Sequence, residues 1–279
     1  EMRELARSGK MAKLTVEQLV QHYYKSSDYS MLAYKTKVDY SNCLDIMLNT
    51  KLNKHSICTT KVDKLTGAIA RQSYELWLKR GISMANHIVS SSRKVYSFGM
   101  EMGYVEYNPF STFKCKTNKP RKVVWTREQI KKLLDFCYSD FRYRSIGLIV
   151  QMSYEWCQRV GDMRLLKFES IDFNNGVLNL EQSKRGASVS LPISEDLFEM
   201  LQEQKRDYDF QEYVAPVPKA IRSSYNPYTL HRLSIVARQA IRLCGLPNEL
   251  RIADLRRTGT TEMVEAGVSM GQIMSVTGH

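Results

Sequence analysis

Apolar residues at Val16, Leu19, Val20 and Tyr23 recur at i, i+3, i+4 and i+7, with Thr15 and Gln18 at capping-box spacing before them, so "LTVEQLVQHYYKS" predicts an amphipathic helix. The same period runs through "SMLAYKTKVDYSNCLDIMLNTKL", "TTKVDKLTGAIARQSYELWLKRG" and "ISMANHIVSSSRKVYSFGMEMGYV", and the first two of these carry Lys and Arg on their polar faces. Residues 14–113 therefore read as a small all-α unit. The period fails in "KCKTNKPRKVV" (114–124), where five basic residues and a proline predict an exposed linker.

Beyond it, Thr126 and Gln129 form a second capping box ahead of Ile130, Leu133, Leu134 and Cys137, and "RSIGLIVQMSYEWC" predicts a buried helix. The period then changes to two. Val177–Leu180 and Val189–Leu191 alternate around a glycine-containing turn, the pattern of a β-hairpin. Helical spacing returns in "SEDLFEMLQEQKR" and in "TLHRLSIVARQAIRLCG", which stops at Gly245 and Pro247. Two further helices are predicted at Asp254–Ala266 and Ser269–Val276, separated by Gly267, and "QKRDYDFQEYVAPVPKAIRSSYNP" reads as a long loop. The pattern predicts a mainly α chain with a small β-sheet. Its parts are a helical domain (14–113), a linker (114–124) and a mixed α/β domain (125–279). Residues 1–13 read as a linker or the trailing edge of a further domain.

Composition narrows the partners. The 279 residues are 43% hydrophobic and 25% charged, as in ordinary globular proteins, and 41 Lys+Arg against 29 Asp+Glu give a formal net charge of +12. Such an excess points to a polyanion, nucleic acid before membrane. No apolar run approaches the length of a membrane span. The six cysteines (Cys43, Cys58, Cys115, Cys137, Cys157, Cys244) stand far apart without C-x-x-C pairs or histidines at metal spacing, so they read as reduced core residues and no metal is expected. The setting they imply is the cytoplasm.

Three basic residues occupy distinct contexts: Arg159 at the end of a buried helix, Lys184 in the hairpin turn and Arg256 in "ADLRRTG", with His279 closing the set. A phosphodiester under attack gathers charge on its non-bridging oxygens, and two forked guanidiniums suit that charge. A lysine on a turn can deliver a proton to a leaving oxygen. Taken singly, each is the kind of residue that ends as a surface ion pair.

Their order and surroundings resemble those of the tyrosine recombinase, or phage integrase, family. "GISMANHIVSSSRKVYSFGMEMGYVEYNPF", closing on Asn108-Pro109, is similar to the end of that family's helical core-binding domain. "QRVGDMRLLKFESIDF" resembles the first-arginine box, with Arg159-x-x-Asp162 in place of the usual Arg-x-x-Glu, followed by Leu166 and the Asp172 region. "SKRG" resembles the catalytic-lysine turn, and "DLRRTGTTEMVEAGVSMGQIMSVTGH" the second-arginine box with its Gly-His.

The resemblance implies two domains forming a C-shaped clamp on double-stranded DNA at an attachment site, and a tetramer on paired sites from chains that are monomers when free. A DNA-bending accessory protein is a further partner it suggests. It implies that Arg159 and Arg256 hold the scissile phosphate, that Lys184 protonates the 5′ leaving oxygen, and that His279 hydrogen-bonds the phosphate. Asp162 and Arg257 would support them. A tyrosine would attack the phosphorus and store the bond as a 3′-phosphotyrosine, so no cofactor and no metal would be required. Residues 1–13 would then be the remnant of an arm-binding domain.

Two departures stand out. Ala253 occupies the position where the family places a histidine three residues before the second arginine, and His231 in "YTLHRLS" is the one candidate substitute. The family's tyrosine lies a short helix beyond the histidine matched by His279, so the sequence as it stands is expected to lack its nucleophile and to be cleavage-deficient. The alternative expectation is a catalytically inactive DNA-binding relative that occupies sites or regulates transcription. A helical protein–protein adaptor would not explain a hairpin lysine between two arginine boxes.

Overall fold

The computed structural model describes residues 14–52, 55–182, 186–218 and 225–278, and of His55 the backbone alone. The expected segment 1–13, Lys184 and His279 fall outside the described residues. The chain divides into two compact units, one ending at Pro120 and the other starting at Arg121. The division falls inside the stretch read as a linker.

In the first unit, α1 (Val16–Tyr24) begins at Thr15, whose hydroxyl accepts from the Gln18 amide while the Gln18 side chain reaches back to the Thr15 N–H. Its buried face is Val16, Leu19, Val20 and Tyr23, as the spacing requires. The next predicted helix, over residues 30–52, is shorter than its apolar period, and a separate turn of helix comes before it. A short α2 (Ser27–Ser30) precedes α3 (Tyr34–Leu48).

The third prediction started too early. Residues 57–64 form two 3-10 turns, and α4 (Gly67–Trp77) starts only after Thr66, whose side chain takes the Ile69 N–H. That short polar side chain offers the backbone a helix start where the apolar period alone gives none. A two-residue pairing of β1 (Lys51–Leu52) with β2 (His55–Ser56) was not foreseen. The 20-residue α5 (Ile82–Glu101) runs through the core and buries Ile88, Val89, Val95 and Tyr96. Asn108 closes the unit by donating to Arg93 O at 2.8 Å and accepting from the Phe110 N–H at 2.9 Å. Its side chain does backbone work there.

The second unit is built around α7 (Phe141–Glu155), which is buried from Tyr143 to Ser153: Ile146, Leu148, Ile149, Val150 and Met152 are fully enclosed. Packed on it are α6 (Arg127–Ser139), with the predicted Thr126/Gln129 capping box, α9 (Glu195–Tyr208), α10 (Leu230–Leu243) and α11 (Leu255–Glu265). A four-residue α8 (Val160–Met163) follows α7, and α12 (Met270–Thr277) follows α11. The sheet holds one strand more than expected. β3 (Ile171–Asp172) pairs with β4 (Val177–Glu181), which pairs with β5 (Ser188–Pro192), all antiparallel. Leu178 faces Leu191 and Leu180 faces Val189, so the alternating residues lie on the core side.

The loop after α9 is less open than its composition suggested. Val214 and Ala215 are fully buried, and 213 and 216 make isolated bridges to 167 and 227. All six cysteines are free; four are buried, while Cys58 and Cys115 are partly exposed. Among the described residues, no helix is long and apolar enough to cross a membrane.

Candidate active site

The first arginine stands just beyond the buried helix at whose end its sequence context puts it. The buried helix α7 ends at Glu155, and Arg159 is the N-cap of α8 on the bend between them. The bend is tight: Cys157 has φ +50°, a left-handed conformation that a non-glycine residue adopts only when its surroundings fix it. Here its sulfur is enclosed against Tyr154 O at 3.5 Å, and the Trp156 indole donates to Pro192 O at 3.1 Å. Burial pushes the Cys157 thiol above its ordinary pKa, so it is an inert packing group. Asp162, nearly fully buried in α8, lies 3.7 Å from Arg159 Nη1 and so places a carboxylate behind the guanidinium.

The second arginine box forms a 3-10 turn (Ile252–Asp254) leading into α11. Arg256 lies in the first turn of α11, half-buried, and its Nη2 donates to Thr277 O at 2.7 Å at the end of α12. Gly259, one helical turn on, explains how this helix reaches the bend. A Cβ built there would stand 2.4 Å from Tyr154 O and 2.6 Å from the Cys157 sulfur. Only glycine lets α11 approach the end of α7 so closely.

The neighbouring arginine has other business. Arg257 is about half exposed, with Nη1 3.6 Å from Asp254 Oδ1. That aspartate is buried and held chiefly by Arg121, whose Nε lies 3.0 and 2.9 Å from its two oxygens. Asp172, in the region following the first box, is a turn former: its carboxylate accepts from Asn174 and Asn175, and these bonds hold its pKa below the usual carboxylate range.

Two residues that sequence reasoning missed join the arginines. Gln182, at the end of β4, accepts from Arg159 Nη1 at 2.9 Å and donates to Gln158 Oε1 at 2.6 Å and to Thr277 O at 2.8 Å. Gln158 in turn donates to Trp156 O and Val276 O, both at 2.8 Å. Both glutamines are fully buried. The chain from Arg159 through Gln182 to Thr277 O, and from there to Arg256, gathers two predicted site residues that are 97 positions apart. The one signal the sequence offered for them was position. Each glutamine is a polar residue at the end of an apolar element, one of them beside Arg159 and the other two residues before Lys184.

Lys184 falls in the chain between β4 and β5, and His279 directly follows Gly278, the left-handed C-cap of α12 (φ +66°). Ala253 is exposed on the turn before Arg256. With Arg256, Arg257, Thr260, Thr261 and Val264 it lines an open depression of about 470 Å³. His231 is exposed in the first turn of α10. Among the described residues no group of three or more His, Cys, Asp or Glu could hold a metal ion.

Arg159 on its bend and Arg256 on a separate helix are thus tied into one buried network through Gln182 and Thr277 O. The model of the Phage integrase family matches residues 124–279, more than half of the chain. The chain belongs to the phage integrase family. A tyrosine recombinase of Pseudothermotoga lettingae is 20% identical over 266 residues, 92% of this integrase-family chain and 86% of its own. A lambda integrase dimer bound to a COC′ core site has the same fold, with a TM-score of 0.77 at 18% identity over 99% of this chain and 77% of that one. A lambda integrase tetramer bound to a Holliday junction gives a TM-score of 0.77 at 18% identity, over 99% of this chain and 80% of the other.

Proposed function

We propose that this phage integrase family chain is a site-specific DNA recombinase of the integrase type, which cuts and rejoins double-stranded DNA through a 3′-phosphotyrosine. The observation that carries the reading is the convergence of Arg159 and Arg256 on one buried network through Gln182 and Thr277 O. Two guanidiniums so placed can fork onto the non-bridging oxygens of a phosphodiester and stabilise the charge that grows there in the transition state. Lys184, carried by the hairpin, donates the proton that the 5′ oxygen takes as it leaves. His279 hydrogen-bonds the phosphate, and a tyrosine supplies the attacking oxygen. In the reverse step a 5′ hydroxyl attacks the phosphotyrosine, and the tyrosine oxygen leaves. The phosphate bond energy is kept throughout, so neither ATP nor a metal takes part.

The likeness to a dimer on a core site and a tetramer on a Holliday junction supports assembly of chains on paired sites, with the DNA of the host cytoplasm as the setting. The test is covalent trapping on a nicked attachment-site duplex, using protein that carries the tyrosine which the family resemblance places beyond His279. A denaturation-resistant adduct that disappears on Tyr→Phe supports the reading. Site binding that never becomes covalent sinks it in favour of a DNA-binding relative without catalysis.

Affinity is expected to fall steeply with salt, because a chain of net charge +12 releases several counterions per duplex bound. A titration from low to moderate salt measures the slope, and a flat response would exclude duplex DNA as the partner.

Ala253 bears on rate. It can neither give nor take a proton, and the depression beside Arg256 leaves room for an imidazole. Ala253→His is expected to raise single-turnover cleavage by about 10²-fold. No gain would mean that another group already performs that transfer.

A further inference from the structure

Gln158 and Gln182 have no part in the chemistry above, yet they are the polar groups most completely enclosed beside it. Both are 0% exposed. A carboxamide buried so fully is costly unless its N–H and C=O groups are matched, and here they are. The Gln182 amide spends its two protons on Gln158 Oε1 and Thr277 O, and its oxygen on Arg159 Nη1. Gln158 spends its protons on Trp156 O and Val276 O. Turning the Gln182 amide over would set NH₂ against a guanidinium and oxygen against two acceptors, so its orientation is determined.

The surrounding backbone is shaped to this contact. A Cβ on Gly278 would stand 2.7 Å from Gln182 Cδ, Nε2 and Oε1, so the turn after α12 closes over the amide only because that position is glycine. At the other end, Gln182 N–H donates to Ala187 O at 2.9 Å and Gly186 N–H to Gln182 O at 2.8 Å, which anchors the hairpin turn on the same residue.

We infer that Gln182, locked by Gln158, is a positioning residue. It links the Arg159 guanidinium, through its own amide, to the Thr277 carbonyl that Arg256 also holds, so the two arginines meet the scissile phosphate as a clamp formed in advance. The inference rests on the recombinase reading for its kinetic consequence, but not for its consequence for binding. An arginine carries a long rotatable stem, and a clamp whose arms must be ordered on arrival loses transition-state stabilisation even when both arms are present.

The variants are Gln182→Met, which keeps the length and removes every donor and acceptor, Gln158→Met and the double variant. The DNA is the duplex site that the protein selects from random sequence, made once with a normal scissile phosphate and once with a neutral methylphosphonate there. For the unsubstituted protein, neutralising that phosphate is expected to weaken binding about tenfold, the effect of losing hydrogen bonds to one charge. In Gln182→Met the difference should shrink below about threefold, with affinity for flanking DNA unchanged, and the double variant should be no worse than Gln182→Met alone.

In protein that forms the covalent adduct, Gln182→Met should slow attachment by about 10- to 100-fold, and a 5′-bridging sulfur should not restore it. Three results overturn the inference: an unsubstituted protein indifferent to the scissile charge, a Gln182→Met protein as sensitive to it as its parent, or a cleavage defect that the sulfur cures. The last would assign Gln182 to the hairpin lysine instead. If charge preference follows Gln182 while no adduct ever forms, the positioning role stands and the recombinase reading falls.

Discussion

Arg256→Ala is expected to lower the first-order rate of covalent DNA attachment by about 10²–10³-fold, the usual consequence of removing one preorganised donor from a developing oxyanion. Arg159→Ala should do the same, since Arg159 joins the same network through Gln182. Lys184→Ala should give a loss of similar size for a different reason, and the difference can be measured. A 5′-bridging sulfur leaves as a thiolate without needing a proton, so the sulfur substrate should largely restore Lys184→Ala. It should restore neither arginine variant, whose missing contacts are to oxygens that the sulfur does not replace. Single-turnover trapping on matched oxygen and sulfur substrates reads all three. Equal recovery of the three would show that the roles are wrongly distributed, and recovery of an arginine variant alone would exchange the acid for the clamp.

Gly259→Ala should produce the largest loss of stability from a single methyl group. The added Cβ meets a backbone carbonyl at 2.4 Å and a buried sulfur at 2.6 Å, and neither is the loose end of a side chain. Helix α11 has to back away from the end of α7, and overpacking of this kind costs about 3 kcal/mol. For a unit of this size that corresponds to roughly 6–12 °C in the melting temperature. Because Arg256 stands one turn before Gly259 on the same face of α11, the displaced helix should also carry the guanidinium out of place.

The matched control is Gly271→Ala in α12, where nothing lies within 4 Å of the new Cβ. That change removes only backbone freedom and should be neutral or stabilising by about 0.5–1 kcal/mol. Thermal melts of the two variants decide the matter. Equal melting temperatures would mean that α11 does not depend on the close approach.

Much of the fold is legible because single elements advertise themselves. The apolar face of α1, the two capping boxes at Thr15 and Thr126, and the buried α7 each follow from the residues within one element, whose own backbone bonds and buried side chains define it. The same holds for the hairpin, where period two across Val177–Leu180 and Val189–Leu191 admits only one sheet face. Where the reading slipped, the decisive contact was short and local but not periodic. Thr66 sets the start of α4, and β3 is two residues long, too short to alternate visibly.

The candidate site divides along the same line. The sequence by itself named the candidates: Arg159, Lys184, Arg256 and His279 stand in the order that the family resemblance implies, and naming them needs no distances. It also showed that Ala253 cannot transfer a proton.

Only the tertiary structure decided what brings the arginines together. Gln158 and Gln182 are unremarkable in the sequence, since a glutamine is ordinary on a surface and acquires meaning only when burial obliges it to find every partner. Gly259 and Gly278 look like interruptions of helices until the atoms that a Cβ would strike are known. The physical reason is common to all four. Periodicity records what one segment buries, whereas a site assembled from residues 158, 159, 182, 256 and 277 depends on how closely separate segments approach, and that distance is set by packing between elements rather than within any one of them.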